Sequence, residues 1–348
     1  MKENPFSYSD LVTGEAFCNR KQEQKDLIYY AQNSQNVLLF SNRRMGKTSL
    51  IHQVIQRLKK TRPKIRSIYI DLYGTLDEKD FIVAVFNGFT QIESRLERVL
   101  KLAAGLKVSG TLDPITGQPS VSVTIDPTER PLYLQKAMQT LASFSEKQKL
   151  LVIFDEFQET AKYSEPGFEK RLRSFIQRHT RISYLFSGSQ KHILSQMFNS
   201  SDRAFYQLAQ NYPLRKSEAF HYIKWAKGIF KKRNIEIEEG VIADVIDRCD
   251  AQPMYIQQFL FELWRLNKIG SDAIKRIEVK ILSRRLNEFI ILWDSLTPNQ
   301  RKALRLVAKT GGKGVFNADS LQSAGFRSGS VMARALSSLV DREIIHKN

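Results

Sequence analysis

Short apolar runs alternate with stretches of helical periodicity in the N-terminal half of the chain. The apolar runs occupy residues 37–40, 150–154 and 182–186, and polar residues follow each run directly. Runs of this length are typical of strands buried in a parallel sheet. After the first run, apolar residues recur three and four positions apart, as in a helix with one buried face, at positions 50, 51, 54, 55 and 58. The pattern predicts an α/β core built on a parallel sheet.

An alternating pattern interrupts this core at residues 108–125. Apolar and polar residues alternate on both sides of a turn sequence, Thr-Gly-Gln-Pro, at 116–119. Such alternation around a turn predicts a protruding β-hairpin, and we place the insertion at about residues 105–127. Because it has few charges, we do not expect it to contact phosphates in general; it either binds a partner or decorates the surface.

The C-terminal region contains three predicted helices. Residues 300–309, 318–324 and 328–341 carry apolar side chains at helical spacing, and glycines separate the three stretches. A short strand is predicted next, at residues 343–346. Three short helices followed by a strand are the layout of a winged-helix domain, which we expect over residues 283–348.

The net charge narrows the choice of partners. The 348-residue chain contains 54 Lys and Arg against 36 Asp and Glu, a formal charge of +18. Such an excess favours association with polyanions such as nucleic acid, although a basic solvated surface has the same composition. No apolar stretch reaches the length of a membrane span, the first residues lack the apolar centre of a secretory signal, and two cysteines do not make a disulfide framework. We therefore expect a cytoplasmic location.

The polar segment after the first apolar run ends like a phosphate-binding loop. It reads Ser-Asn-Arg-Arg-Met-Gly-Lys-Thr at 41–48, between a predicted strand and a predicted helix, which is the context that such a loop requires. In these loops backbone N–H groups surround the phosphates, the lysine reaches the β- and γ-phosphates, and the threonine hydroxyl binds Mg²⁺. We expect ATP to be bound by Ser41, Asn42, Arg43, Arg44, Met45, Gly46, Lys47, Thr48 and Ser49.

Polar residues after the other two apolar runs complete a candidate catalytic site. Asp155 and Glu156 follow the second run; we expect Asp155 to orient Mg²⁺ and Glu156 to polarise the attacking water. Ser187 and Ser189 follow the third run, where a hydroxyl can contact the γ-phosphate or the water, although Ser189 could instead cap a helix. The predicted catalytic residues are Lys47, Glu156 and Ser189.

The order of these motifs resembles that of the archaeal-type ATPases. These are P-loop proteins of the STAND branch, allied to the AAA+ ATPases and closest in layout to origin-recognition proteins. The resemblance covers nearly the whole chain and rests on residues 17–20, 42–50, 68–73, 154–158 and 186–189. The family's usual loop reads Gly-Pro-Arg-Arg-x-Gly-Lys-Thr, so the serine and asparagine that open the present loop depart from it. The departure leaves ATP binding expected and the rate of hydrolysis open.

The resemblance also implies a domain division and further contacts with the nucleotide. The contacts would come from Asn19 and Arg20, before the first helix, and from Pro253 in a helical lid whose family-typical glycines are missing here. Alternatively, Pro253 only starts a helix, which we predict at residues 254–267. The implied domains are a P-loop ATPase core at 1–213, the helical lid at 214–282 and the winged helix at 283–348.

An arginine that acts on a neighbouring subunit is a further feature of related AAA+ assemblies. Four arginines lie on or after a predicted helix between the second and third apolar runs, namely Arg171, Arg173, Arg178 and Arg181. One of them could reach the γ-phosphate of a neighbour. A solvated basic helix face is the alternative.

The C-terminal region is the candidate DNA-binding part of the chain. Residues 280–348 contain twelve Lys and Arg against five Asp and Glu, an excess that suits contacts with the DNA backbone. The third helix would be offered to a groove, with four residues facing outward, Arg327, Ser328, Ser330 and Arg334. Since winged helices also bind proteins, DNA and a protein partner both stay open.

Three functions fit these predictions. The first is an ATP-hydrolysing switch whose nucleotide state controls binding to DNA or to a protein partner, another copy of the chain included. The second is a non-hydrolysing, nucleotide-dependent scaffold or regulator, which the serine at position 41 favours. The third is a DNA-binding protein in which the nucleotide is structural.

Overall fold

A five-stranded parallel sheet forms the centre of the first of two units. The computed structural model describes residues 3–9, 11–92, 108–112, 119–123, 125–266, 269–342 and 344–345. The two units are Met1–Ser271 and Asp272–Asn348. The predicted domain boundaries after residues 213 and 282 do not coincide with this division and stay predictions. In the part of the chain described, no helix combines the length and apolarity that crossing a membrane requires.

The strands and helices alternate along most of the first unit. The strands are β1 (Val37–Phe40), β2 (Arg66–Asp71), β3 (Val108–Leu112), β4 (Pro119–Val123), β5 (Leu150–Asp155), β6 (Ile182–Gly188) and β7 (Gln210–Pro213). The helices of this unit are α1 (Lys21–Gln32), α2 (Lys47–Leu58), α3 (Glu78–Phe89), α4 (Arg130–Lys147), α5 (Phe168–Arg178), α6 (Lys191–Asn199), α7 (Ala219–Lys231), α8 (Glu239–Arg248) and α9 (Pro253–Leu263).

The sheet has the order β2-β5-β6-β1-β7, and all neighbouring strands pair in parallel. The three apolar runs form β1, β5 and β6, and the stretch with helical spacing forms α2, so the predicted parallel α/β core is confirmed. β3 and β4 pair antiparallel at the position of the predicted hairpin, and most of its predicted turn lies outside the described residues. The helix predicted at 254–267 begins at Pro253 and ends at Leu263; residue 267 lies outside the described residues.

Alternate residues of the strands pack on opposite faces of the sheet, as the twofold periodicity of a strand requires. Val152 and Phe186 pack on one face, against helices α3 to α6. Leu39 and Ile153 pack on the other face, against α1 and α2. The strands are therefore buried on both sides, which explains why their sequences read as continuous apolar runs.

A cluster of phenylalanines fixes the carboxyl ends of β5 and β6. Phe157, two residues after the end of β5, packs on Phe186 with ring centroids 4.7 Å apart, and both rings contact Phe198 and Phe205. All four side chains are buried, and each contributes about 1.5–3 kcal/mol of hydrophobic stabilisation. This packing holds the backbone from which the polar residues after both strands project.

The N-terminal segment is anchored on the helices after β7. Phe6 is buried between Trp225, Phe230 and Trp264, with ring centroids 5.4, 5.4 and 5.9 Å away. Asn4 donates a 3.0 Å hydrogen bond from Nδ2 to the carbonyl oxygen of Phe261 in α9. These contacts join the start of the chain to the helical part that follows the sheet.

The second unit consists of helices. They are α10 (Ser271–Arg284), whose first residue is the last of the first unit, α11 (Leu286–Asp294), α12 (Pro298–Thr310), α13 (Ala318–Ser323) and α14 (Gly329–Asp341). The last three correspond to the helices predicted for a winged helix. The predicted strand is not present in the described residues: Ile344 and Ile345 form a bend, and their backbone N–H groups bond to the carbonyl oxygen of Leu339 at 2.9 and 3.4 Å. A carbonyl oxygen at the end of α14 thus accepts hydrogen bonds from the N–H groups that would otherwise pair with a neighbouring strand. The winged-helix domain stays a prediction.

His179 should make the stability of the first unit depend on pH. Its ring stacks on the buried ring of Tyr184, and its Nδ1 shares a 2.5 Å hydrogen bond with the hydroxyl oxygen. Burial lowers the pKa of His179 from 6.5 to about 4. Between these values the unfolded chain binds more protons than the folded chain, so stability falls as the pH drops through this window.

We expect His179→Gln to lose part of this pH dependence. Between pH 7 and pH 4.5 the free energy of unfolding should fall in both proteins, and the fall should be about 1–3 kcal/mol smaller in the variant than in the wild type. Urea denaturation measures this difference. His192→Gln, at an exposed histidine, is the matched control. The same pH slope in the wild type and in His179→Gln would contradict the assignment.

Candidate nucleotide-binding site

The loop between β1 and α2 has the conformation of a phosphate cradle. Two of its residues have left-handed backbone conformations, Arg44 with φ 67° and Gly46 with φ 78°. The value at position 46 favours glycine. A Cβ atom built on Gly46 would meet no atom within 4 Å. Open space therefore lies beside the residue whose side chain would most obstruct a phosphate.

Ser41, which replaces the usual first glycine, introduces no left-handed strain. The residue is buried, and its φ is not positive. Its hydroxyl donates a 3.0 Å hydrogen bond to the carbonyl oxygen of Asn42. A serine therefore suits the backbone of this loop, and the departure from the family pattern gives no conformational reason for a decayed site.

Lys47 lies between two carboxylates. Its Nζ is 3.1 Å from Oε1 of Glu156 and 3.5 Å from Oδ1 of Asp155, and its side chain is only 7% exposed. The neighbouring Thr48 donates a hydrogen bond from its hydroxyl to Oδ2 of Asp155 at 3.2 Å. The first turn of α2 and the end of β5 are thus joined by one buried ion-pair network.

Asp155 accepts hydrogen bonds from several sides. Besides Thr48, the hydroxyl of Tyr69 donates to Oδ2 at 2.8 Å, the backbone N–H of Glu156 donates to Oδ1 at 3.0 Å, and the hydroxyl of Ser187 donates to Oδ1. Burial raises the pKa of Asp155, but the Lys47 ammonium and these hydrogen bonds outweigh it and hold the pKa below its ordinary value. The carboxylate is therefore ionised and fixed in place.

Glu156 is held at both of its oxygens. Oε1 pairs with Lys47, while Oε2 accepts hydrogen bonds from Nε2 of Gln158 at 2.5 Å and from the hydroxyl of Ser189 at 2.9 Å. Burial raises the pKa of Glu156, but Lys47 and Gln158 outweigh it, so the pKa lies below its ordinary value. The structure thus brings all three predicted catalytic residues together.

Gln158 and Gly188 belong to this arrangement and were missed by the sequence analysis. Gln158 is 1% exposed and packs against Gly188, where an added Cβ would lie 1.9 Å from Oε1 of Gln158. Glycine is therefore required at position 188 to let the amide reach Glu156. The Ser-Gly-Ser sequence was the only signal in the chain that could have revealed this close approach.

Tyr69 and Asp71 are two further site residues that the sequence analysis did not single out. Both come from β2, which pairs with β5 so that Asp71 lies opposite Asp155. Burial and the charge of Asp155 raise the pKa of Tyr69, so its hydroxyl stays protonated and donates. Burial also raises the pKa of Asp71, and the nearby Asp155 carboxylate adds to this rise.

Tyr69 and Asp71 contribute to the lining of a cavity of about 600 Å³. Loop residues 41–49 and Asp155, Glu156 and Ser189 form one side. Other lining residues come from the N-terminal segment and the helices after β7, namely Ser7, Tyr8, Val12, Phe17, Cys18, Arg20, Tyr222, Pro253, Met254 and Gln257. Asn19 is not among the lining residues; its backbone has φ 58°, and its carbonyl oxygen accepts a 3.3 Å hydrogen bond from Gln24.

Arg20 brings a buried donor to the cavity. Nη1 donates to Glu23 at 2.8 Å and to the carbonyl oxygen of Arg215 at 2.6 Å. Nη2 is buried, and within the described residues it has no hydrogen-bond partner. An unpaired buried guanidinium nitrogen is costly, and it is the feature expected of a site that receives a polar ligand.

Arg44 connects the phosphate loop to helix α9. Its Nη1 donates a hydrogen bond to the hydroxyl of Tyr255, and its guanidinium carbon lies 5.5 Å from the centre of that ring. Pro253, two residues earlier, is the first residue of α9 and also lines the cavity. The loop and the predicted lid therefore touch directly.

The polar atoms fit a magnesium–triphosphate ligand. Thr48 and Asp155 present a hydroxyl and a carboxylate oxygen 3.2 Å apart. Mg²⁺ is usually held by one or two carboxylates together with water and substrate phosphates. Within the residues described, no three His, Cys, Asp or Glu side chains are arranged to hold a metal. The donor set thus suits a metal that is bound jointly with phosphates.

Comparison with known proteins gave similar solved structures only. Neither a family model nor a curated protein sequence matches the chain. The Walker-type ATPase of Pyrococcus abyssi has a TM-score of 0.68 and 19% identity, over 94% of this chain and 90% of that chain. The ORC2 protein of Aeropyrum pernix, in ADPNP–ADP complexes, has a TM-score of 0.59 and 16% identity over 94% and 87%. The ORC1 protein of that organism, in complex with DNA, has a TM-score of 0.51 and 12% identity over 94% and 84%.

Three observations together identify the fold: the similarity to these structures over nearly the whole chain, the strand order of the sheet and the geometry of the phosphate loop. The chain has a P-loop NTPase fold. The predicted fold class is therefore confirmed, in the form that the origin-recognition proteins also have. At these sequence identities the similarity concerns the fold alone.

The four arginines that are candidates for acting on a neighbouring subunit all bind groups of their own chain. Arg171 pairs with the buried Glu78 at 2.7 Å, Arg173 donates to the carbonyl oxygens of residues 204 and 206, and Arg181 donates to that of residue 145 at 2.9 Å. Arg178 is exposed and bonds to Ser174, one turn away on α5, at 3.2 Å. None of the four lines the P-loop cavity, and an action on a neighbouring subunit stays a prediction.

The predicted DNA-contacting residues lie in the second unit. Arg327, Ser328, Ser330 and Arg334 are all exposed, around the start of α14. The hydroxyls of Ser328 and Ser330 share a 2.9 Å hydrogen bond. Their exposure is compatible with the predicted role, which stays a prediction.

Gly188→Ala should slow turnover without removing ATP binding. The new Cβ must displace Gln158, and Glu156 then loses one of the two side-chain donors that hold its Oε2. Because small misplacements of catalytic groups cost up to about 10²-fold in rate, we expect phosphate release to fall about 10- to 100-fold and ATP affinity to change less than about 3-fold.

The matched control is Gly228→Ala, on α7, where an added Cβ meets no atom within 4 Å. Single-turnover phosphate release and equilibrium ATP binding are measured for both variants. Wild-type turnover in Gly188→Ala would show that Gln158 does not position Glu156.

Proposed function

We propose that the protein is an ATP-binding switch that hydrolyses ATP slowly with Mg²⁺ and whose nucleotide state controls binding to DNA or to a protein partner. One observation carries the proposal. The ammonium of Lys47 is held between Asp155 and Glu156 in the cavity formed by the phosphate loop and the helices after β7.

The phosphates would be bound by the loop. Its backbone N–H groups, at the positive end of α2, would donate hydrogen bonds to the phosphates, and the Lys47 ammonium would add a positive charge. This combination binds phosphate groups at helix N-termini. Thr48 and Asp155 would hold Mg²⁺, which supplies charge neutralisation when bound. Arg20, with its buried and unpaired Nη2, would donate a further hydrogen bond to the ligand.

Glu156 is the proposed general base. Its pKa lies below the ordinary value, so the carboxylate is ionised at neutral pH and can accept a proton from water. Lys47 occupies Oε1 in this structure. When Lys47 turns to a phosphate, Oε1 becomes free to orient water, while Gln158 and Ser189 keep Oε2 in place.

The loop and the lid would act together through Arg44 and Tyr255. A ligand that contacts both parts favours the state in which they are in contact, which is how a nucleotide shifts a conformational equilibrium. Residues 214–282 are the proposed lid, and residues 283–348 are the proposed winged helix that presents Arg327, Ser328, Ser330 and Arg334.

A non-hydrolysing scaffold is the second candidate function. The observation that favours it is the engagement of Glu156, both of whose oxygens are paired in the structure. If Lys47 stayed on Glu156 after ATP had bound, the carboxylate could not orient water. Turnover measurements distinguish this alternative from the proposed switch.

Lys47→Ala and Glu156→Gln should separate binding from turnover. Removal of the Lys47 ammonium should weaken ATP binding at least about 10-fold, because a charged hydrogen bond to phosphate is lost. Glu156→Gln should keep ATP affinity within about 3-fold and lower phosphate release by about 10²- to 10⁴-fold, the usual effect of losing a general base.

The controls for this pair are Lys170→Ala and Glu236→Gln, at exposed positions outside the cavity. Binding is measured by calorimetry, and phosphate release is measured with Mg²⁺, with and without duplex DNA. Tight ATP binding with no release, unchanged in Glu156→Gln, would exclude hydrolysis as the function.

Tyr255→Phe should weaken ATP binding about 3- to 10-fold. The variant removes the hydroxyl that bonds to Arg44 and keeps the ring, so it removes one charge-assisted hydrogen bond of the loop–lid contact. Tyr29→Phe, at an exposed tyrosine, is the control. Equal ATP affinity of the two variants and the wild type would argue against coupling through this contact.

A further inference from the structure

A group of basic residues occupies the edge of the sheet opposite the cavity. The strands are parallel, so the amino ends of β2, β5 and β6 all lie at one edge, and the candidate site lies at the other. Three segments precede these strands, residues 57–66, 145–149 and 178–181. We call them the basic edge.

The three segments of the basic edge are joined by hydrogen bonds. The backbone N–H of Arg66 donates to the carbonyl oxygen of Lys149 at 3.1 Å, and that of Leu150 donates to Arg181 at 3.2 Å. Side chains add two more links, from Gln148 to the carbonyl oxygen of Lys64 and from Arg181 to that of Ser145. The segments therefore form one continuous surface.

Half of the net charge of the protein lies on this surface. The basic edge contains ten Lys and Arg and one acidic residue, Glu146, so its net charge is 10 − 1 = +9 out of +18 for the chain. All the cations are exposed except the half-buried Lys149. The cations are Arg57, Lys59, Lys60, Arg62, Lys64, Arg66, Lys147, Lys149, Arg178 and Arg181.

These cations have no acidic partner among the residues that the structure describes. In the part of the chain that the structure describes, none of the ten forms an ion pair. Elsewhere exposed lysines do pair, as Lys162 does with Glu159 and Lys227 with Glu239. Crowded unpaired cations repel one another, so a surface of this kind is stabilised when a polyanion neutralises it.

The basic edge offers no large aliphatic side chain to a partner. Pro63 is exposed, but Leu58 and Ile65 are buried, so no large aliphatic group is available for insertion into a membrane. His179, the aromatic ring of these segments, is stacked on the buried Tyr184. Unpaired bases, which proteins bind by stacking on free aromatic rings, would therefore find no platform here.

Charge without apolar or aromatic anchors matches a regular array of phosphates. Duplex DNA presents one negative charge per about 1.7 Å of its axis. Adjacent strands of the sheet are about 4.8 Å apart, so the three segments concentrate their cations within the span of a few base pairs. We propose that the basic edge binds the phosphate backbone of a nucleic-acid duplex, independently of base sequence and separately from the nucleotide cavity.

The test compares two full-length variants of equal net charge. In the first, Lys59, Lys60, Lys64 and Lys147 of the basic edge are all changed to serine. In the second, four exposed lysines away from this edge are changed to serine: Lys21 and Lys25 on α1, Lys170 on α5 and Lys231 on α7. Binding of a labelled 24-base-pair DNA duplex is measured by fluorescence anisotropy at several salt concentrations.

We expect the basic-edge variant to bind the duplex at least about 10-fold more weakly than the wild type. The slope of log K against log salt concentration should be smaller in magnitude by about three to four, since each phosphate contact contributes about 0.9 to this slope. The control variant should stay within about 3-fold of the wild type. ATP binding, measured in parallel, should be unchanged in both, because the cavity lies at the opposite edge; loss of ATP binding in the basic-edge variant would contradict the separation of the two sites. An RNA duplex bound with the same basic-edge dependence would support recognition of the backbone, and no dependence with either duplex would overturn it.

Three other results would also overturn the proposal. Equal weakening of both variants would mean that net charge, and not the basic edge, determines binding. Tighter binding to a single strand than to the duplex would indicate a stacking site elsewhere. Binding to phosphatidylserine vesicles without binding to the duplex would identify a membrane surface as the partner.

Discussion

The buried ammonium of Lys47 is the feature on which the rest of the site depends. A cation in a protein interior is stable only when opposite charges and hydrogen bonds replace the water that it has lost. Asp155 and Glu156 supply the charges. Tyr69, Thr48 and Ser187 then hold the first carboxylate, and Gln158 and Ser189 hold the second. The same network thus keeps a cation and an ionised base in place beside the cavity.

The parallel sheet separates two surfaces of different chemistry. At the carboxyl ends of its strands, polar side chains from β2, β5 and β6 converge on the end of β1 and the phosphate loop, as expected of an open α/β sheet. At the amino ends the basic edge carries half of the net charge of the chain. Because the same three strands connect both surfaces, a small ligand at one edge and a polyanion at the other would be bound by one rigid scaffold.

Features set by local sequence were the predictable ones. The apolar runs, the helix after the loop, and the order of Lys47, Asp155 and Ser189 follow from periodicity and from motifs a few residues long. Tyr69 and Gln158 depend on strand register and on the close approach at Gly188, and the contact of Arg44 with Tyr255 joins residues 211 positions apart. The predicted strand at Ile344 was wrong in the described residues because the end of α14 captures its backbone N–H group.

The most direct test is a crystal structure of the protein grown with Mg²⁺ and a non-hydrolysable ATP analogue. We expect the triphosphate on loop residues 41–48, with Nζ of Lys47 bonded to a phosphate oxygen and no longer to Glu156. We also expect Mg²⁺ beside Thr48 and Asp155. A cavity that stays empty at saturating analogue, or a bound analogue with Lys47 still paired to Glu156, would show that the proposed nucleotide site is wrong.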